Sequence, residues 1–93
     1  MCVVNAGEVW YTVARRCSAR DADQAIRWIR EIGVELVPAT FELTQIAASY
    51  KVRGKISYAD CFAAALAKQN KAALITGDKE FEQLNNEISI VWL

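Results

Sequence analysis

The sequence predicts an α/β fold in which a short parallel sheet is flanked by helices. Two patterns carry this reading. Segments with apolar residues at helical spacing alternate with short uncharged runs rich in β-branched residues. Serine, threonine and glycine then fall where such segments should start or stop. The 93 residues, 54% hydrophobic and 24% charged with one proline, suffice for one modest core and exclude a disordered or low-complexity chain. No internal repeat or linker interrupts them, so we expect a single domain over residues 1–93.

The elements follow in order. Val9 and Val13, with Trp10 and Ala14, pair at i,i+4 after Asn5 and predict a helix from about Ala6 to Arg16. Ala22, Ala25, Ile26, Ile29 and Ile32 share one face of a second helix, which Gly33 should stop. The run from Val34 to Pro38 is a strand candidate. Thr40 then caps a third helix carrying Phe41, Leu43, Ile46, Ala47 and Tyr50. Lys51 to Ile56 is expected as a basic loop around Gly54, and Ser57 opens a fourth helix whose Ala63–Ala67 run favours helicity and close packing. Ala72 to Thr76, wholly uncharged, should form a buried strand before Gly77 and Asp78. A brief helix from Lys79 to Leu84 and a final strand from Ile88 to Leu93 complete the chain. Trp10, Trp28 and Trp92 are expected in the core.

Eleven basic residues balance eleven acidic ones and histidine is absent. Histidine general-base chemistry, Ser/His/Asp and Cys/His pairs and histidine-ligated zinc are thereby excluded. Charge neutrality also disfavours non-specific coating of duplexes, which depends on neutralising many phosphates at once. Cys2, Cys17 and Cys61 are odd in number and lack CxxC spacing, which suits reduced thiols in the cytoplasm. No charge-free run approaches the roughly 18–20 apolar residues of a membrane span, and the N-terminus does not read as a secretory signal.

Three acids stand in comparable local settings. Glu8 lies one turn into the first predicted helix, Asp60 one turn into the fourth, and Asp78 where a strand gives way to a helix. Strand ends and helix N-termini line the ligand crevice of an open parallel sheet. Carboxylates gathered there repel one another unless a divalent cation compensates them. Magnesium takes a few carboxylate oxygens, keeps coordination positions for a phosphate, and lowers the pKa of a bound water. Each acid also has a purely structural reading. Asn5-x-x-Glu8 and Ser57-x-x-Asp60 approximate capping boxes, and Asp78 is a natural N-cap. Local pattern leaves both readings open.

At this point the residues resemble a known family. Ile56-Ser57-Tyr58-Ala59-Asp60-Cys61-Phe62-Ala63-Ala64-Ala65-Leu66-Ala67 resembles the LSLADAFAAALA segment of PIN-domain proteins. Leu74-Ile75-Thr76-Gly77-Asp78-Lys79-Glu80-Phe81 is similar to their LVTGDKEF segment, and Asn5-Ala6-Gly7-Glu8-Val9-Trp10-Tyr11 to their NLGEVYY helix. Ile88 to Leu93 matches the closing strand, so the resemblance runs in order over essentially the whole chain. It is nearest to the VapC-like toxins of bacterial toxin–antitoxin pairs.

The resemblance implies an endoribonuclease dependent on magnesium or manganese. Glu8, Asp60 and Asp78 occupy three of the family's acidic positions, as catalytic and metal-holding residues, and Ser57 and Thr76 match nearby hydroxyl positions. Two basic clusters, around Arg15, Arg16 and Arg20 and around Lys51, Arg53 and Lys55, are candidate RNA phosphate contacts. The chain departs from the family in opening at its Glu-bearing helix. The expected fold is therefore an incomplete, N-terminally truncated PIN-like three-layer domain lacking the family's first strand, first helices and first aspartate. Asp21 and Asp23 begin the wrong helix to replace that acid. Weak or absent cleavage and self-association to cover exposed strand edges are the corresponding expectations. The alternative is a non-catalytic interaction module that binds itself or an antitoxin-like partner.

Overall fold

The computed structural model describes residues 1–93 as α1 (Val3–Arg16), α2 (Ala19–Glu31), α3 (Phe41–Arg53), α4 (Tyr58–Gln69), β1 (Ala73–Thr76), a 3₁₀ helix (Lys79–Leu84) and β2 (Ser89–Trp92). The chain is mixed α/β and 62% helical, with a short parallel two-stranded sheet flanked by helices, as the sequence predicts. Its contacts cluster in two compact units, Met1–Ala39 and Thr40–Leu93.

In the first unit, the chain start decides where α1 begins. Cys2 is extended and forms an isolated parallel bridge with Val37. The Val3 amide donates to the Val37 carbonyl at 2.9 Å, and the Val37 amide to the Met1 carbonyl at 2.8 Å. This pairing holds residue 2 in β geometry, and the helix starts immediately after it, three residues ahead of the expected start at Ala6. The predicted strand Val34 to Pro38 is reduced to that single bridge. Helix α2 also begins three residues earlier than its apolar face suggested, because Ser18 Oγ accepts from the Asp21 amide at 3.0 Å. Its end follows expectation. Gly33 takes φ +97°, its amide donates to the Arg30 carbonyl and the Val34 amide to the Ile29 carbonyl, which is a Schellman closure. The two helices pack together, and Trp10 Nε1 donates to Asp23 Oδ1 at 2.9 Å across them. Ala6 and Ala22 are buried.

The second unit is built in layers, α3 on α4 and α4 on the sheet. Thr40 caps α3, accepting from the Leu43 amide at 3.2 Å, and the helix continues to Arg53. Lys51 and Arg53 therefore belong to its last turn, and the expected basic loop is confined to residues around Gly54. Helix α4 buries Cys61, Phe62, Ala64, Ala65 and Ala67, while Tyr58 and Phe62 meet edge to face with centroids 5.0 Å apart. Small side chains at Ala64 and Ala65 allow close approach to neighbouring elements. Leu43, Ala47, Tyr50, Ile56, Phe81, Leu84 and Ile88 complete the buried set.

Strands β1 and β2 pair in parallel register, Ala73 with Ser89 through Thr76 with Trp92. The burial expected for β1 is not met: its residues alternate between exposed and half-buried, and Ile75 is 64% exposed. With one partner strand and four residues in each, the sheet has too few neighbours to cover both faces. The tryptophans also stay partly outside the core. Trp28 is 59% exposed and Ile32 is 60% exposed, so the C-terminal part of the predicted α2 face is not covered. Trp10 and Trp92 are also exposed. No helix is long and apolar enough to cross a membrane.

Candidate metal centre

The candidate site is assembled by two local turns of the second unit. The first is the start of α4. Ile56 is buried and anchors the chain, and Ser57 Oγ accepts from the Asp60 amide at 3.1 Å. This cap fixes the first turn and places Asp60 on it, half-buried. The second turn follows β1. Thr76 Oγ1 accepts from the Asp78 amide at 3.0 Å, and Asp78 Oδ1 accepts from the Glu80 amide at 2.9 Å. Buried Phe81 and Leu84 then secure the 3₁₀ helix that this turn opens. The hydroxyls of Ser57 and Thr76 thus each set the backbone that carries an acid.

These turns bring Asp60, Asp78 and Glu80 together, with one carboxylate oxygen of each lying within 4.8 Å of the others. Asp60 is half-buried, and Asp78 and Glu80 are exposed. Three anions at this spacing repel one another, and oxygen is the only donor they offer. That chemistry fits a hard divalent cation such as magnesium or manganese and does not resemble a thiolate or imidazole site. Of the three acids singled out in the sequence, Asp60 and Asp78 are brought together in this cluster.

Glu80 was not anticipated. From the sequence, Lys79 to Leu84 reads as an ordinary short helix with Asp78 as its cap. The signal available was the Gly77–Asp78 pair, because an Asx turn there folds the backbone two residues on back toward the aspartate. Glu8 lies in the other unit, half-buried on α1 beside a shallow depression lined by Val9, Tyr11, Thr12 and Val13. Its capping-box reading is corrected by the early helix start. The N-cap is Cys2, with no side-chain cap bond, and Asn5 lies inside the helix.

The basic candidates carry different burdens. The Arg15 guanidinium stacks over the Tyr11 ring, 4.9 Å from its centroid, and Arg16 is exposed at the end of the same helix. Lys51 Nζ donates to the Ile56 carbonyl at 2.7 Å, which steadies the approach to Ser57. Arg53 forms an ion pair with Glu87. Next to that pair, burial holds the Tyr50 phenol proton above its usual range; Glu87 adds to the effect and Arg53 opposes it.

A family model, the PIN domain, matches residues 1–87. No curated protein and no solved structure matches the chain.

Proposed function

The chain belongs to the PIN-domain family, and on that premise we propose that it is a divalent-metal-dependent endoribonuclease. The meeting of Asp60 with Asp78 and Glu80 carries the reading. Two segments distant in sequence converge to present a cluster of hard oxygen donors. The family model runs through both contact units, which supports treating residues 1–93 as one PIN-like domain. Magnesium or manganese, when bound, supplies Lewis-acid charge and acidifies water for phosphodiester hydrolysis.

The protein's own residues prepare that chemistry. Asp60 and Asp78 would hold the cation from two capped turns, and Glu80 would add a third carboxylate; for Glu8, on α1, a catalytic role rests on the family resemblance alone. Ser57 and Thr76 act through the backbone they pin. Arg15 and Arg16 offer exposed positive charge to RNA phosphates, with Lys51 and Arg53 as secondary contacts because both already hold internal partners. We place the protein among VapC-like toxins acting in the cytoplasm, a compartment that suits three free cysteines.

The test is cleavage of a labelled RNA pool with manganese or magnesium. Asp60→Asn and Asp78→Asn should each reduce the rate at least about 100-fold, because each loses an anionic ligand for the cation that would stabilise the developing charge, and chelation should abolish it. Cleavage that survives chelation and both substitutions would overturn the proposal.

A second reading is favoured by the exposed apolar side chains. Phe41, Val52, Ile75 and Leu93 are 75%, 88%, 64% and 90% exposed. They suit an interaction module that binds a second copy or an antitoxin-like protein. Association indifferent to chelation and to Asp60→Asn, in a protein without RNA cleavage, would favour this reading.

A further inference from the structure

We infer that Gln83 is a positioning residue for the acidic centre, holding its two halves in register through a clasp that requires glycine at position 54. This inference rests on the metal-site reading above. Asp60 comes from the start of α4 and Asp78 and Glu80 come from the turn after β1, so their spacing depends on a link between those segments. Gln83 supplies one. Its Nε2 donates to the Glu80 carbonyl at 3.0 Å, and its Oε1 accepts from the Lys55 amide at 3.2 Å. One end of the amide therefore holds the backbone of an acid in the cluster. The other holds the residue two positions before Ser57, whose hydroxyl caps the turn bearing Asp60. A single planar side chain spans the two arms, using both its donor and its acceptor.

Gly54 makes room for it. Its backbone is extended, at φ −162° and ψ −171°, a conformation open to any residue, so the turn itself does not demand glycine. The demand is steric. A methyl group built on Gly54 would overlap Gln83 Oε1 and come within 3.0 Å of Gln83 Cδ. Those atoms are the far end of a flexible, exposed side chain, so alanine at 54 displaces Gln83 and leaves the surrounding backbone in place. Gly54→Ala and Gln83→Ala thus open the same clasp from opposite sides, and neither touches a carboxylate.

The experiment measures Mn²⁺ binding to the intact chain by electron paramagnetic resonance, at a temperature where every variant is folded. Wild type, Gly54→Ala, Gln83→Ala, the double variant and Asp78→Asn are compared. Loss of a group supporting metal ligands weakens affinity by about 10-fold or more, and we expect that loss in each single variant. The double variant should be no weaker than either single one, since one interaction cannot be removed twice. Amide exchange without metal gives a second readout: the Lys55 amide should exchange faster in both single variants. A purely structural role would lower the unfolding temperature and leave the affinity of the folded protein unchanged. Unaltered Mn²⁺ affinity in Gly54→Ala and Gln83→Ala, with binding that still depends on Asp78, overturns the clasp alone. Failure of the wild type to bind Mn²⁺, or binding indifferent to Asp78→Asn, overturns the metal-site reading and the clasp with it.

Discussion

Glu87 shows how one residue serves several elements. Its carboxylate pairs with Arg53 at the end of α3, and its carbonyl accepts from Lys68 Nζ near the end of α4 at 2.9 Å. The hydrogen bond from Arg53, reinforced by that residue's charge, holds the Glu87 carboxyl below its ordinary value of 4.5. The folded state therefore binds this proton more weakly than the unfolded chain does. The contribution of the pair is complete above the unfolded value and is lost as pH falls through the lowered one. In a carbon-detected NMR titration, Glu87 should titrate below 4.5, and Arg53→Met should return it toward that value. A titration unchanged by the substitution would show that the pair does not form in solution. The same scale carries the candidate site. Asp60 and Asp78 stand out in the sequence as acids at element starts. Glu80 does not, because its approach depends on a hydrogen bond from its own amide to Asp78.

Among the elements, α4 is the one whose sequence and structure agree most closely. Ser57 opens it, and the alanine run forms its buried face, with Ala64 and Ala65 fully buried. Two substitutions should separate these roles in chemical denaturation. Ser57→Ala removes the cap bond to the Asp60 amide and should cost about 0.5–2 kcal/mol. Ala64→Leu overfills a face already packed against neighbouring elements and should cost about 1–3 kcal/mol. Near-wild-type stability in Ala64→Leu would mean that α4 is less tightly enclosed than its burial indicates. Helices α1 and α2 show the limits of periodicity. Apolar spacing finds both helices, but Trp10 and Ile32 on the predicted faces are exposed and both helices begin three residues early. Their starts are set by the Cys2–Val37 bridge and the Ser18 cap, neither of which belongs to an apolar repeat.

For the molecule as a whole, the exposed sheet matters most. Four-residue parallel strands with a single pairing are marginal by themselves, and β1 has an unpaired edge beside an exposed Ile75. The proposed self-association predicts a concentration-dependent sedimentation coefficient for the wild type. Ile75→Lys should shift the protein toward monomer, because a charge on that surface opposes burial. A wild type that remains monomeric across the accessible concentration range would count against association through this face.

The helical segments, the fourth-helix cap and the Gly33 stop are legible in the sequence. Each follows from chemistry within a few residues: apolar spacing, a hydroxyl before a helical turn, or a backbone at positive φ. The remainder depends on contacts between distant segments. Contacts distant in sequence reduced Val34–Pro38 to one bridge and left β1 half-covered. They also put Gln83 between Lys55 and Glu80. Burial and carboxylate convergence depend on which segments become neighbours in space, and local pattern carries no record of that pairing.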